Sequence, residues 1–206
     1  MQALVYKSTG SWYQVKDKDG KVYNARIKGK FKIDGITSTN PIAVGDLVEI
    51  ENEDDEESTI ITEIYERRNY INRVSPHNKN QHHIVAANLD QSLLFATIKE
   101  PRTSLGFIDR ILVISEAYAV PAIIVFNKAD LYKQKEDDKF LLVKEIYEPI
   151  GYKVVKMSVE ENTGVDEVAS LLAGKTTLIS GHSGVGKSSF INRILPGLIL
   201  KTPMLM

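Results

Sequence analysis

Residues 181–189 read GHSGVGKSS, and they follow the apolar run TTLIS (176–180). Gly181, Gly186, Lys187 and Ser188 satisfy G-x-x-x-x-G-K-[ST] between a predicted strand and a predicted helix, the context that this motif requires. Its chemistry is the cradling of phosphate. The glycines let the backbone turn so that successive N–H groups of Gly181, His182, Ser183, Gly184, Val185 and Gly186 point inward at anionic oxygens. The helix that opens near Lys187 adds its positive end. In this pattern Lys187 neutralises the β- and γ-phosphates, Ser188 ligates Mg²⁺, and Ser189 completes the loop. Phe190, Ile191, Ile194 and Leu195 give the helix a buried side before Pro196-Gly197 stops it. A nucleophile elbow is also strand, turn and helix, but it needs G-x-S-x-G, and Val185 stands where its last glycine belongs. No histidine follows Ser183 to serve as its base, and His182 inside the loop reads as structural.

A second constellation lies earlier in the chain. Asn127, Lys128, Ala129 and Asp130 follow the apolar run AIIVF, at the carboxyl end of a predicted strand, where open α/β sheets bind ligands. N-K-x-D is a guanine-reading pattern. The Asp130 carboxylate can accept from both N1–H and N2–H₂, a pair of donors that adenine lacks; the Lys128 stem can cover the ring, and Asn127 can brace neighbouring loops. A site built on such donors rejects a base without them, because the carboxylate would be left unpaired. The segment MSVEENTG (157–164) follows the next strand and resembles the guanine-loop pattern S-A-x. Ser158 matches it, and Val159 stands where alanine is usual; the contact there is made by a backbone N–H, so the exchange is tolerable. An ATP-dependent P-loop kinase is the rival, and the NKAD segment counts against it.

These loops need a sheet. SLLFATI (92–98), AIIVFN (122–127), KVVKMS (153–158) and TTLIS (176–180) are short apolar runs of the buried parallel type. Between them, Ile108, Ile111, Leu112 and Ser115 fall on one helical face, and Val165, Val168, Ala169 and Leu172 on another. Alternation of strand and helix predicts an α/β domain over residues 84–206. Residues 1–72 read differently, as five short strands with turn signals at Thr9-Gly10-Ser11 and Asp19-Gly20, which predicts an all-β closed barrel such as an OB-fold. The polar stretch 73–83 is the predicted linker.

The barrel half carries its own candidate surface. Arg26, Lys28, Lys30 and Lys32 alternate along a strand and so share one face, with Arg67, Arg68 and Arg73 as extensions and Trp12, Tyr23 and Phe31 as stacking surfaces. This is either an RNA-binding stripe or an ordinary charged sheet face. The acid run ENEDDEE (51–57) reads as a solvated hairpin tip. Three of the four histidines fall in 75–83, but no cysteine or nearby carboxylate completes a metal set. Hydrophobic content of 43%, charged content of 26% and a net charge of −1 are those of an ordinary globular protein with no global pull toward nucleic acid or membrane. The absence of cysteine excludes disulfides and thiolate zinc sites within these residues. No run approaches the ~20 apolar residues of a membrane span, so the expectation is a soluble, cytoplasmic protein.

Order is the last clue. In ordinary GTPases the phosphate loop precedes N-K-x-D; here residues 127–130 precede residues 181–188. Together with the barrel, the segments GFIDRILVISEAYAVPAIIVFNKADL, GHSGVGKSSFINRILPG and LKT resemble the RsgA/YjeQ family of circularly permuted GTPases that depend on the small ribosomal subunit. The resemblance implies GTP and GDP as ligands with Mg²⁺, hydrolysis stimulated by the subunit, a role in its late maturation, contact of the barrel with ribosomal RNA, and a monomer. It assigns Asn127, Lys128 and Asp130 to guanine and Gly181 through Ser189 to phosphate. It also implies a threonine-bearing switch, a D-T-P-G motif and a cysteine/histidine zinc segment after the phosphate loop, none of which these residues contain. The expectation is therefore an incomplete GTPase domain without zinc ligands that hydrolyses GTP poorly or not at all by itself, its catalytic residue unassigned. The alternative is an RNA-binding module with vestigial nucleotide binding.

Overall fold

In the first half, apolar and polar residues alternate, and the alternation closes a barrel. The structure, a computed structural model, describes residues 1–27, 41–52, 59–74 and 82–198. Strands β1 (Gln2–Thr9), β2 (Trp12–Asp17), β3 (Val22–Ile27), β4 (Leu47–Asn52) and β5 (Thr59–Ile64) run in the order β1-β2-β3-β5-β4, and β1 pairs with β4 to complete the ring. Neighbours are antiparallel except β3 and β5, which are parallel. One side of each strand points inward: Val5, Tyr13, Val15, Ala25, Val48, Ile50 and Ile61 pack into a single core. Asp17 fixes the β2–β3 turn by accepting from the backbone N–H groups of Asp19 and Lys21.

The chain divides into two compact units, Met1–Leu89 and Asp90–Met206. Within the first, β6 (Tyr70–Val74) and β7 (His82–Ala87) form an antiparallel ribbon. The polar stretch 73–83 thus has strand residues at both ends, where polar side chains hid a pairing that rests on backbone hydrogen bonds. Val44 bridges to Ala86, and Gly45 lies so close to β7 that a Cβ would stand 2.0 Å from the Ala87 carbonyl oxygen.

Arg67 corrects one expectation. It is not part of a basic outer stripe: its side chain is 9% exposed and closes a two-pronged ion pair on Asp46, with both nitrogen–oxygen distances 2.6 Å. The same guanidinium donates to the Pro41 carbonyl, and Asp46 also accepts from the Ala43 N–H. Arg68 is exposed and donates to the Asn88 carbonyl. Arg26 is exposed on β3, opposite the half-exposed Trp12 on β2. Lys28, Lys30, Lys32 and Phe31 lie outside the described residues, as does most of the acid run.

The second unit is a four-stranded parallel sheet in the order β10-β9-β8-β11, built of β8 (Gln91–Ala96), β9 (Ala122–Phe126), β10 (Lys153–Lys156) and β11 (Thr177–Gly181). Helices cover both faces. Leu94 and Ala96 of β8 face α1 (Leu105–Ala117) and α2 (Gln134–Tyr147) through Ile108, Leu112, Phe140 and Val143. Leu93 and Phe95 face α3 (Val165–Leu172) and α4 (Lys187–Ile194) through Val165, Val168 and Phe190. All six residues of β8 are buried, and full burial of Leu93, Leu94 or Phe95 contributes about 1.5–3 kcal/mol each. This two-sided burial is why the parallel strands read as continuous apolar runs.

Candidate functional site

Every parallel strand of the second unit ends at the same rim, and each of the loops leaving that rim carries a polar group aimed at another loop. Asn127 immediately follows β9 and is 2% exposed. Its Nδ2 donates to the Val185 carbonyl of the glycine loop at 2.9 Å, and its Oδ1 accepts from the Val159 N–H at 3.3 Å. One buried amide therefore ties the loops after β9, β10 and β11 together. The Gly186 backbone passes so near that a Cβ on it would lie 2.1 Å from Asn127 Nδ2, and its φ of +93° favours glycine in any case.

Lys128 adopts a left-handed conformation with φ of 66°, which turns the chain from β9 into a short 3-10 turn over Ala129–Leu131. The Ala129 N–H donates to the Met157 carbonyl, holding this turn against the end of β10. The Asp130 carboxylate accepts from the Ser158 hydroxyl at 2.5 Å, and Ser158 Oγ accepts in turn from the Glu161 N–H at 3.1 Å. Ser158 exchanges two backbone hydrogen bonds with Thr163, so the serine that orients Asp130 is itself fixed. Between these loops lies a cleft of about 310 Å³, lined by Asn127, Lys128, Asp130, Val159, Gly186 and Ser189 among others. A separate groove of about 390 Å³ on the barrel, lined by Met1, Leu4, Lys16 and Leu47 among others, contains none of the motif residues.

The glycine loop leaves β11 through Gly181, whose φ of +135° and closeness to the Phe95 carbonyl exclude a side chain. Gly184 and Gly186 also have positive φ, and α4 begins at Lys187. Val185 is fully buried and Phe190 anchors α4 in the core, so the loop is pinned at its far end. Lys187 Nζ donates to the carbonyls of Gly181 at 2.8 Å and His182 at 2.6 Å. Burial lowers its pKa below the ordinary lysine value. The arrangement offers free backbone N–H groups at a helix start, a lysine folded over the loop, and the Ser188 hydroxyl in the first turn of α4: a donor set fitted to polyphosphate with a hard divalent cation.

The structure thus brings together Asn127, Lys128, Asp130, Ser158, Val159 and the glycine loop from residues spread over more than sixty positions. Arg26 belongs to the other compact unit. Sequence reasoning missed two contributors, one from the β8–α1 connection and one from the first turn of α1. The Glu100 carbonyl accepts from Lys128 Nζ at 2.6 Å, and the Phe107 ring stacks on His182 with centroids 3.7 Å apart at 28°. A backbone carbonyl leaves no trace in residue type, and Phe107 reads as one more apolar residue of α1.

The RsgA GTPase family model matches residues 64–205, and the RsgA N-terminal domain model matches residues 2–60. The small ribosomal subunit biogenesis GTPase RsgA of Cytophaga hutchinsonii is 49% identical over 195 residues, covering 94% of this chain and 63% of the relative. The small ribosomal subunit biogenesis GTPase RsgA 2 of Bacteroides thetaiotaomicron is 52% identical over 202 residues, covering 98% and 65%. The chain therefore spans just under two thirds of the length of these curated relatives. The crystal structure of YjeQ from Thermotoga maritima superposes with a TM-score of 0.79 at 33% identity, covering 97% of this chain and 66% of that one. YloQ, described as a circularly permuted GTPase, gives a TM-score of 0.69 at 31% identity over 96% of this chain and 65% of that one. With both family models matched in order along one chain, and the phosphate loop following the N-K-x-D loop as the permuted order requires, this chain belongs to the RsgA GTPase family.

Proposed function

We propose that this chain, through its barrel and its nucleotide-binding domain, acts as a GTPase in late maturation of the small ribosomal subunit. The observation that carries the nucleotide reading is the Asn127 side chain, which joins the guanine-type loops to the phosphate-type loop through Val159 and Val185. In this reading Asp130 accepts from N1–H and N2–H₂ of guanine, held in place by Ser158, while the Lys128 stem covers the base. Val159 borders the base, Gly181 through Ser189 wrap the phosphates, and Lys187 meets the β- and γ-phosphates from the position its two carbonyl contacts define. Ser188 would ligate Mg²⁺, which supplies charge neutralisation at the phosphates when bound.

Asn127, Lys128, Asp130 and the glycine loop bind and orient; hydrolysis is proposed because the relatives are named GTPases of small ribosomal subunit biogenesis, and its stimulation by the subunit because the motifs resemble those of the permuted, subunit-dependent family. The barrel is proposed to contact ribosomal RNA through Arg26 and the neighbouring Lys28, Lys30 and Lys32, with the exposed Trp12 beside Arg26 as a stacking surface. A monomer working in the cytoplasm, where small subunits mature, completes the reading. Among the described residues no helix is long and apolar enough to cross a membrane.

Titration of GTP, GDP and ATP with and without small ribosomal subunits tests these points. Guanine-selective binding with turnover that rises on adding subunits is expected. Preference for ATP would overturn the guanine assignment, and RNA affinity indifferent to guanine nucleotides would favour a plain RNA-binding module.

A further inference from the structure

We propose that Phe107, outside every nucleotide motif, is a positioning residue of the phosphate loop and acts through His182. This inference rests on the nucleotide reading of the site and extends it to helix α1. The loop between β11 and α4 is poor in side-chain constraint at its start: Gly181 and Gly184 carry no side chain, and both have positive φ. Val185 is buried and fixes the far end, but His182, the first residue of the loop with a side chain, is exposed. Its ring lies on the ring of Phe107, at a 3.7 Å centroid separation and 28° between planes. Phe107 is itself half-buried and packed against the Ile108 and Leu112 cluster, so it forms a rigid platform set by the core.

What the platform holds matters to the site. The backbone carbonyl of His182 accepts from Lys187 Nζ at 2.6 Å, beside the Gly181 carbonyl at 2.8 Å. The contacts run from the core through the Phe107 ring, the His182 ring and the His182 carbonyl to the lysine ammonium. If the stack is lost, residue 182 is free to rotate between Gly181 and Ser183, and the carbonyl that aims Lys187 moves with it. A stacked aromatic pair contributes enough to shift phosphate affinity by roughly 3- to 10-fold. A role for Phe107 as core filler alone would lower thermal stability without making its effect on nucleotide affinity depend on residue 182.

A double-variant cycle on the 206-residue chain, read as affinity for fluorescently labelled GDP, separates the two. Phe107→Leu keeps the apolar bulk and is expected to weaken GDP binding roughly 3- to 10-fold, His182→Ala by a similar factor, and the pair by no more than either one. Phe107→Tyr and His182→Phe, which keep two stacked rings, are expected to recover most of the affinity lost in Phe107→Leu and His182→Ala respectively. Unchanged affinity in Phe107→Leu, or losses that multiply in the pair, overturns the proposal. If Phe107→Leu does not fold, His182 decides, since equal affinities of His182→Ala and His182→Phe also overturn it. Failure of the unaltered chain to bind GDP at all overturns the nucleotide reading, and this inference with it, and is distinct from every other outcome.

Discussion

The amide nitrogen of Asn127 occupies the space in which a side chain on Gly186 would begin, 2.1 Å from the position of that Cβ. The two residues come from different loops, and each dictates the other's identity. An asparagine buried to this degree can reach the Val185 carbonyl only because residue 186 has no Cβ. The glycine, in turn, holds a φ of +93° that gives the turn into α4 its direction.

Gly186→Ala should therefore fail twice. The new methyl meets Asn127 Nδ2 and forces it off Val185, and the backbone is held in a region costing a non-glycine residue about 1–3 kcal/mol. The expected outcome is a lower melting temperature for the second unit together with a loss of GDP affinity exceeding about 10-fold. Calorimetric titration and a thermal melt of the same preparation would check both. Wild-type affinity would show that the Asn127–Val185 bond is dispensable.

Asp130→Asn tests base identity. Asparagine replaces one of two acceptor oxygens with a donor NH₂, so one of the guanine donors meets another donor. GDP affinity should fall about 10- to 100-fold, the equivalent of one charged hydrogen bond. A base with a carbonyl at position 2 in place of the amine now fits, so xanthosine diphosphate should compete better than GDP against the variant. Competition titration with both nucleotides decides, and an unchanged preference for GDP would remove Asp130 from the base site.

Ser158→Ala removes the hydroxyl that donates to Asp130 at 2.5 Å and the acceptor for the Glu161 N–H. Asp130 keeps its charge but loses its fixed orientation. The expected loss is about 1–1.5 kcal/mol in GDP binding, or roughly 5- to 10-fold, with ATP binding unaffected. Equal losses for GDP and ATP would mean that the serine supports the loop as a whole rather than the base contact.

The glycine loop, Asn127–Asp130 and Ser158 were legible in the sequence because each depends on residue types at fixed spacing after an apolar strand. The five barrel strands were legible for a related reason, since one face of each is buried and the other is wet. The ribbon of β6 and β7 was not, because Asn72, Arg73, His82 and His83 give no alternation and the pairing is carried by backbone groups. Helix α2 was equally quiet: exposed Leu141 and Leu142 blur the stripe made by Phe140, Val143 and Tyr147. Arg67 misled in a more instructive way. A charge in a run of arginines reads as surface, and only tertiary structure reveals a carboxylate buried 21 residues away in the chain.

That buried pair carries the last prediction. Asp46 has no exposed surface, and Arg67 supplies both of its close cationic contacts while also binding the Pro41 carbonyl. Arg67→Met keeps the apolar stem and strands the carboxylate in a low-dielectric site, which costs about 3–5 kcal/mol. Urea unfolding followed by Trp12 fluorescence, with the one tryptophan of the chain lying in the barrel, reads the stability of that unit directly. A second substitution, Asp46→Asn, removes the stranded charge but keeps an acceptor for the Ala43 N–H. The double variant should therefore be more stable than Arg67→Met alone, although less stable than the unaltered chain. Nucleotide affinity should be the same in all three, because Arg67 and Asp46 belong to the barrel unit and none of the cleft residues does. If Arg67→Met costs less than about 1 kcal/mol, the pair is no better than a surface ion pair and the barrel does not depend on it.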